Sequence, residues 1–176
     1  MMEISILYLS AYCTPEQAAS TYLGANRNQA FADSGFVIHN FAPTPTRGVS
    51  NDVRRTYIKE RMEESLFDNH MHVHRFHLMR EGRNPLGRAL RYSILCVILY
   101  IKGIIRRESK EANVMFISST PPILGSCAAM VKRHTRVPLV YNLQDIFPDS
   151  LVNNGLASKG GLLWKIGRVI EDFTYR

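Results

Sequence analysis

Cysteine, tryptophan and acidic side chains are all scarce in this 176-residue chain. The three cysteines, Cys13, Cys96 and Cys127, are odd in number, far apart and set in or beside apolar segments. That argues against a disulfide framework or a cysteine metal site and fits reduced thiols in the cytosol. Long apolar runs are missing too. The longest, Ile94 to Ile105, is broken by Lys102 and at about a dozen residues is too short to span a bilayer. The N-terminal MMEISILYLS lacks the basic region of a signal peptide and reads directly as a strand. Neither a G-x-G-x-x-G fingerprint nor a P-loop is present. Acid is outnumbered, 15 Asp and Glu against 22 Lys and Arg, for a net charge of +7. The window from Arg75 to Lys110 holds nine basic and two acidic residues, so it accounts for the whole excess (9 − 2 = 7). A local patch of one sign is a better clue to a partner than a high pI spread over the surface.

What is there is an ordinary globular composition, 45% hydrophobic and 21% charged, enough to bury one substantial core. Apolar, β-branched runs at Glu3 to Leu9, Phe36 to Phe41, His72 to Leu78, Asn113 to Ser118 and Val137 to Leu143 predict five strands. The last, opened by Pro138, has the composition of a strand buried on both faces. Between them, helices are expected from about Pro15 to Asp33, Asn51 to Phe67, Pro85 to about Glu108 and Ser119-Thr120 to about His134, with a final one over Leu162 to Phe173. Such alternation argues for an α/β fold, a Rossmann-like doubly wound and mainly parallel sheet flanked by helices. In the common strand order 3-2-1-4-5 the first and fourth strands adjoin at the topological switch point. The loops after Leu9 and Ser118 then flank one crevice, and the loop after Leu143 lines its side.

Those loops carry the candidate ligand-binding residues. Thr14-Pro15-Glu16 reads as an N-cap, a proline at the first helical position and an acid suited to the helix dipole. Ser119-Thr120 opens the later helix in the same way. Two helix N-termini would aim free N–H groups at a phosphate or at sugar hydroxyls, while plain capping explains the same residues without a ligand. Gln144, Asp145 and Asp149 crowd just past the fifth strand, where their side chains offer acceptors to hydroxyl groups. Helix capping by Asp145 and Asp149 is the competing explanation.

Three stretches, ILYLSAYCTPE, FISSTPPIL and VPLVYNLQDIFPDSLVNNGL, together resemble the N-terminal domain of bacterial family 4 glycosyltransferases of the fucosamine and capsular-polysaccharide type. The resemblance runs in order along nearly the whole chain, and Gln144 to Ser150 is its most specific part. It implies the first half of a GT-B fold, with residues 1–176 as the acceptor-side domain and the donor-binding domain absent from this chain. It further implies retaining transfer from a nucleotide-sugar donor to a polyprenyl-phosphate-linked or glycan acceptor in cell-surface polysaccharide synthesis. The fragment alone is then expected to be inactive. Asp145 becomes the catalytic candidate, orienting the acceptor hydroxyl or stabilising charge at the sugar carbon, with Thr14, Glu16, Ser119, Thr120, Gln144 and Asp149 as substrate-binding candidates. Two departures stand out. The glycine pair that relatives often carry in the first loop is replaced here by Thr14-Pro15-Glu16-Gln17-Ala18-Ala19, and Ser119-Thr120 stand where some relatives place a histidine, so no histidine catalyst is assigned.

The basic window has two explanations. Arg75, Arg80, Arg83, Arg88 and Arg91, beside the Ile94 to Ile105 run, could rest on anionic lipid at the inner face of the plasma membrane and receive the acceptor phosphate. Alternatively the run is a core helix with solvated arginines at its ends. His70, His72, His74 and His77 alternate without an accompanying acid or cysteine, the pattern of a polar strand face, so no metal and no other cofactor is expected. The alternative function is a non-catalytic Rossmann-like binder of nucleotides or phosphate ligands. Nucleic acid is not expected as a partner, because the basic cluster flanks aliphatic rather than aromatic residues.

Overall fold

The structure, a computed structural model, describes residues 4–16, 21–82, 84–144, 146–153, 155 and 157–175. The elements run β1 (Ser5–Leu9), α1 (Thr21–Asp33), β2 (Val37–Pro43), α2 (Asn51–Glu60), β3 (Glu63–Leu66), β4 (Met71–Phe76) and α3 (Pro85–Ile105). They continue with α4 (Arg107–Lys110), β5 (Val114–Ser118), α5 (Ile123–Thr135), β6 (Leu139–Asn142), α6 (Asp149–Asn153) and α7 (Leu162–Tyr175). One sheet holds all the strands in the order β3-β4-β2-β1-β5-β6. Every pairing is parallel except β3 with β4. The five expected strands therefore stand in the expected order, in an α/β Rossmann-like sheet. Winding proceeds from β1 through β2 to β4, then returns past β1 to β5 and β6, so its direction reverses between β1 and β5.

Strand pleating divides the apolar residues between two layers. Leu7 and Leu9 of β1, Phe41 of β2 and Met115 and Ile117 of β5 pack with Leu95 and Leu99 of α3 and Leu124, Ala128 and Val131 of α5. A Cβ on Gly103 would stand 2.9 Å from Val131 Cγ2, so α3 and α5 meet at a closeness that only glycine allows. On the opposite face Ile6, Ile38, Met71 and Val73 pack with Phe31, Phe36, Tyr8 and Phe116. Phe31 meets Phe36 and Phe116 edge to face, a geometry that aromatic quadrupoles favour.

Four expectations are corrected. The helix expected over Asn51 to Phe67 stops at Glu60, and Glu63–Leu66 turns back as the antiparallel edge strand β3. The cause is the turn at Phe67, Asp68 and Asn69, whose φ angles of 54°, 50° and 71° lie in the left-handed region that Asp and Asn tolerate. Glu63 and Glu64 hid the strand, since charged residues are poor strand formers and serve mainly at edges. Secondly, β6 is not buried on both faces. It is the sheet's other edge, and Val140 is 50% exposed. Thirdly, Pro15 does not begin a helix. Glu16 N bonds to Cys13 O to close a turn, and the described helix starts at Thr21. Fourthly, α5 starts at Ile123, with Pro122 at its N-cap and no side-chain cap bond, so Ser119-Thr120 do not cap it. The long helix matches its expected start, with Asn84 Oδ1 accepting from Leu86 N at 2.9 Å, and breaks at Arg106 before the single turn of α4. Among the described residues no helix is long and apolar enough to cross a membrane.

The histidines do not form the single polar strand face expected of them. His70 lies in the turn with Nδ1 3.2 Å from Phe36 O. His39 on β2 stacks against His72 and His74 on β4, at centroid distances of 5.2 and 5.6 Å. Glu63 Oε2 stands 2.5 Å from His74 Nδ1, and Ser65 Oγ is 3.2 Å from His72 Nδ1. Among the described residues no group of three His, Cys, Asp or Glu side chains is placed to hold a metal ion. Burial lowers the pKa of His39, and His74 and His72 lower it further, against Glu108 and Glu111, which raise it. With its folded pKa below the ordinary 6.5, His39 takes up a proton more readily in the unfolded chain. Its stabilising contribution is complete above that value and lost as pH falls. Thermal denaturation at about pH 7.5 and about pH 5.5 should show lower stability at the acid end, and His39→Gln should reduce that difference.

Candidate functional site

The reversal of winding leaves a narrow crevice above the C-terminal ends of β1 and β5. Its walls are the loop after β1 (Ser10, Ala11, Tyr12, Cys13, Thr14), Ser118 and Thr120 after β5, and Gln144 after β6. Gly24, Ala25, Arg27 and Asn28 of α1 and Asn40 of β2 add to it, as do apolar residues such as Leu66, Phe67 and Met71. The cavity measures about 60 Å³, far below the few hundred Å³ of a pocket that encloses a whole drug-sized ligand. It therefore admits a single polar group of a ligand lying across the open rim.

The first loop is held from beneath by buried charge. Glu16, only 2% exposed, accepts bonds from Thr46 N at 2.7 Å, Arg47 N at 3.0 Å and Cys13 N at 3.2 Å. Burial pushes its carboxyl pKa up, while those three N–H groups and Arg91 pull it down. This corrects its expected part as a substrate contact, because its oxygens are committed to backbone. Arg75 Nη2 donates to Thr14 O at 2.7 Å and to Glu64 Oε2 at 3.0 Å. Arg91 donates to Met79 O at 3.1 Å and Thr46 Oγ1 at 3.1 Å. Its guanidinium lies 5.8 Å from the ring centroids of both Tyr12 and Tyr92. The Tyr12 hydroxyl, 2.7 Å from that of Tyr92, also donates to Glu81 Oε2 at 2.9 Å. Burial raises the Tyr12 pKa and its bond with Tyr92 raises it further, so the hydroxyl stays a donor.

Behind the loop, Ser10 Oγ donates to Asn40 Oδ1 at 2.8 Å, and Asn40 Nδ2 donates to Cys13 Sγ at 3.4 Å. Burial pushes the Cys13 thiol up in pKa and keeps it a structural neighbour rather than a nucleophile. Across the crevice the buried Ser119 Oγ accepts from Gln144 N at 2.8 Å, which ties the ends of β5 and β6 together.

Thr14, Thr120 and Gln144 thus meet at one crevice as expected of the loops, with Ser119 buried as their tie. Asp149 lies elsewhere, in the first turn of α6. It accepts from Trp164 Nε1 at 3.1 Å and lines a separate open depression with Lys159 and Arg168. Asp145 is outside the described residues, as is Arg83.

The remaining basic candidates divide. Arg91 is fully buried and Arg75 is 4% exposed, so neither can meet a membrane. Arg88 pairs with Glu81 at 3.2 Å, and Arg80 donates to Asn51 on the surface.

The residues that sequence reasoning missed are Arg27, Asn28, Asn40, Ser10 and Ser118. Arg27 had one legible signal, as the only charged residue between Glu16 and Asp33. The others are small polar residues, Ser10 and Ser118 at strand ends, Asn28 in α1 and Asn40 within β2, whose types alone carry no site signal.

The chain matches no family model and no curated protein.

The clearest structural consequence concerns Glu16. Glu16→Ala leaves three N–H donors of two loops without their acceptor, and urea denaturation should show a loss of about 1–3 kcal/mol.

Proposed function

We propose that this domain is the acceptor-side half of a retaining glycosyltransferase of GT-B fold. In this reading the enzyme moves a sugar from a nucleotide-sugar donor to a lipid-linked or polysaccharide acceptor in cell-surface polysaccharide synthesis. One observation carries it. Each of the three stretches that resemble family 4 glycosyltransferases contributes to one crevice, through Thr14, Thr120 and Gln144, although Thr14 and Thr120 are 106 residues apart (120 − 14). A crevice lined by Ser, Thr, Asn and Gln side chains, with apolar residues behind them, is chemically suited to hydroxyl-bearing ligands.

In this reading the acceptor lies along the rim with a hydroxyl presented to the facing donor domain, which holds the nucleotide sugar. Asp145, next in chain to Gln144, orients that hydroxyl and accepts its proton, or stabilises positive charge at the sugar carbon. The leaving phosphate departs from the face at which the new bond forms, so configuration is retained.

A lipid-linked acceptor is supported by α3. Its N-terminus lies beside the crevice rim, because Tyr12 of the first loop bonds Tyr92 of α3 and Glu81 just before it. There Leu86 is 80% and Leu90 56% exposed, with the surface arginines Arg80 and Arg88 nearby in sequence. Apolar side chains flanked by cations suit an anionic lipid surface.

The test is turnover by the protein joined to its donor-binding half, with the acceptor presented in vesicles containing anionic lipid. Asp145→Asn should lower turnover by roughly a hundredfold or more without lowering the melting temperature. Unchanged turnover removes Asp145 from the mechanism. A wild-type protein that binds ligand at the crevice but never transfers sugar favours a non-catalytic phosphate-ligand module instead.

A further inference from the structure

The crevice contains a charge that nothing in the described structure answers. Arg27 is the only charged residue among its described lining residues. Its guanidinium carbon stands 4.7 Å from the ring centroid of Tyr8 and 4.5 Å from that of Phe116, residues paired across β1 and β5. Asn28 Oδ1 accepts from Nε at 3.2 Å and Nη2 at 2.8 Å, and Ser118 Oγ accepts from Nη1 at 3.3 Å. These bonds use three of the five N–H donors of a guanidinium and leave two. Neutral atoms accept all three.

Several other arginines are balanced by acids, while Arg54, Arg80 and Arg91 donate to neutral atoms. Arg75 pairs with Glu64, Arg88 with Glu81, Arg106 with Glu108, Arg107 with Glu111 and Arg168 with Glu171. Among the described residues no carboxylate lies within ion-pair distance of Arg27. A cation held in a cleft, clamped against two rings and paired among the described residues only with an amide and a hydroxyl, is poised to receive an anion.

We infer that Arg27 is the oxyanion receptor of the crevice, and that the ligand seated there carries a phosphate or carboxylate group. The planar fork of a guanidinium matches both groups, and stacking on Tyr8 and Phe116 fixes its plane before the ligand arrives. A cavity of about 60 Å³ suits one such group rather than a whole saccharide. Hydroxyl and amide side chains of Ser118, Thr120 and Gln144 line the same cavity and complete a polar lining for the anion's remaining oxygens. Anion recognition thereby falls to a side chain of α1, and not to the helix N-termini that the sequence led one to expect. The inference rests on the crevice being the binding site, and it does not require sugar transfer.

The experiment is an amide NMR titration of the 176-residue chain with inorganic phosphate in one arm and glucuronate in the other, chloride holding ionic strength constant. Saturable shifts confined to Arg27, Asn28, Ser118 and their crevice neighbours are expected in at least one arm, and the tighter arm identifies the group. Arg27→Gln should weaken that binding by roughly tenfold or more, with Arg27→Lys intermediate. No saturable shift in either arm overturns the inference, as does equal affinity in a well-dispersed Arg27→Gln spectrum. The wild-type titration decides the matter even if Arg27→Gln fails to fold. Anion binding without transfer defeats the enzymatic proposal alone, and transfer without anion binding defeats this one alone.

Discussion

Everything at the working end of this molecule depends on β1 standing parallel between β2 and β5. The chain leaves β1 for α1, whose Phe31 packs on one face of the sheet, and leaves β5 for α5, whose Leu124, Ala128 and Val131 pack on the other. Right-handed crossovers running in opposite directions draw the two connections apart, and neither can fill the gap above the strands. The crevice is thus a product of topology before it is a product of any side chain. Much of its polar lining comes from residues at or just past strand ends, Ser10, Ser118 and Gln144, with Asn40 from within β2.

Keeping that gap open requires a rigid first loop, and the protein achieves this with buried charge. Glu16 gathers N–H groups from its own loop and from the loop after β2, while Arg75 and Arg91 grip the same region from the side. Buried ions are expensive to desolvate and settle only where hydrogen bonds answer them, which makes such a cluster intolerant of rearrangement. The same arrangement changes the meaning of the basic window. Arg75 and Arg91 are interior, and Arg106 and Arg107 face Glu108 and Glu111, so less of the charge excess reaches solvent than the count implies.

The strands and their order were legible because apolar β-branched runs separated by helical patterns leave few alternatives for a chain of this length. The edge strand β3 was not, because Glu63 and Glu64 look helical and only the left-handed turn at Asp68 and Asn69 redirects them. Local signals also misled at both loops. Thr14-Pro15-Glu16 and Ser119-Thr120-Pro121 have the composition of helix starts, yet Glu16 and Ser119 face inward to partners some thirty and twenty-five residues away in sequence. Such long-range satisfaction of buried polar groups cannot be read from spacing. Arg27 is the converse case, a residue whose setting, stacked on Tyr8 and Phe116 and bonded to Asn28 and Ser118, only three dimensions reveal.

The picture that results joins a gap made by winding, a loop stiffened by buried ions and a half-buried guanidinium in a hydroxyl-rich wall. Its central claim is that this gap is where the ligand of the proposed glycosyltransferase sits. Gly24 offers a direct way to plug it, since it lines the crevice and an added Cβ meets nothing nearer than Arg27 Nη2 at 3.8 Å. The decisive measurement is sugar transfer by the proposed two-domain protein carrying Gly24→Phe, made alongside its melting temperature. The account predicts a protein as stable as the parent that has lost transfer by roughly tenfold or more, the effect of a ligand group displaced from its site. Parental transfer in a folded, plugged enzyme would contradict it.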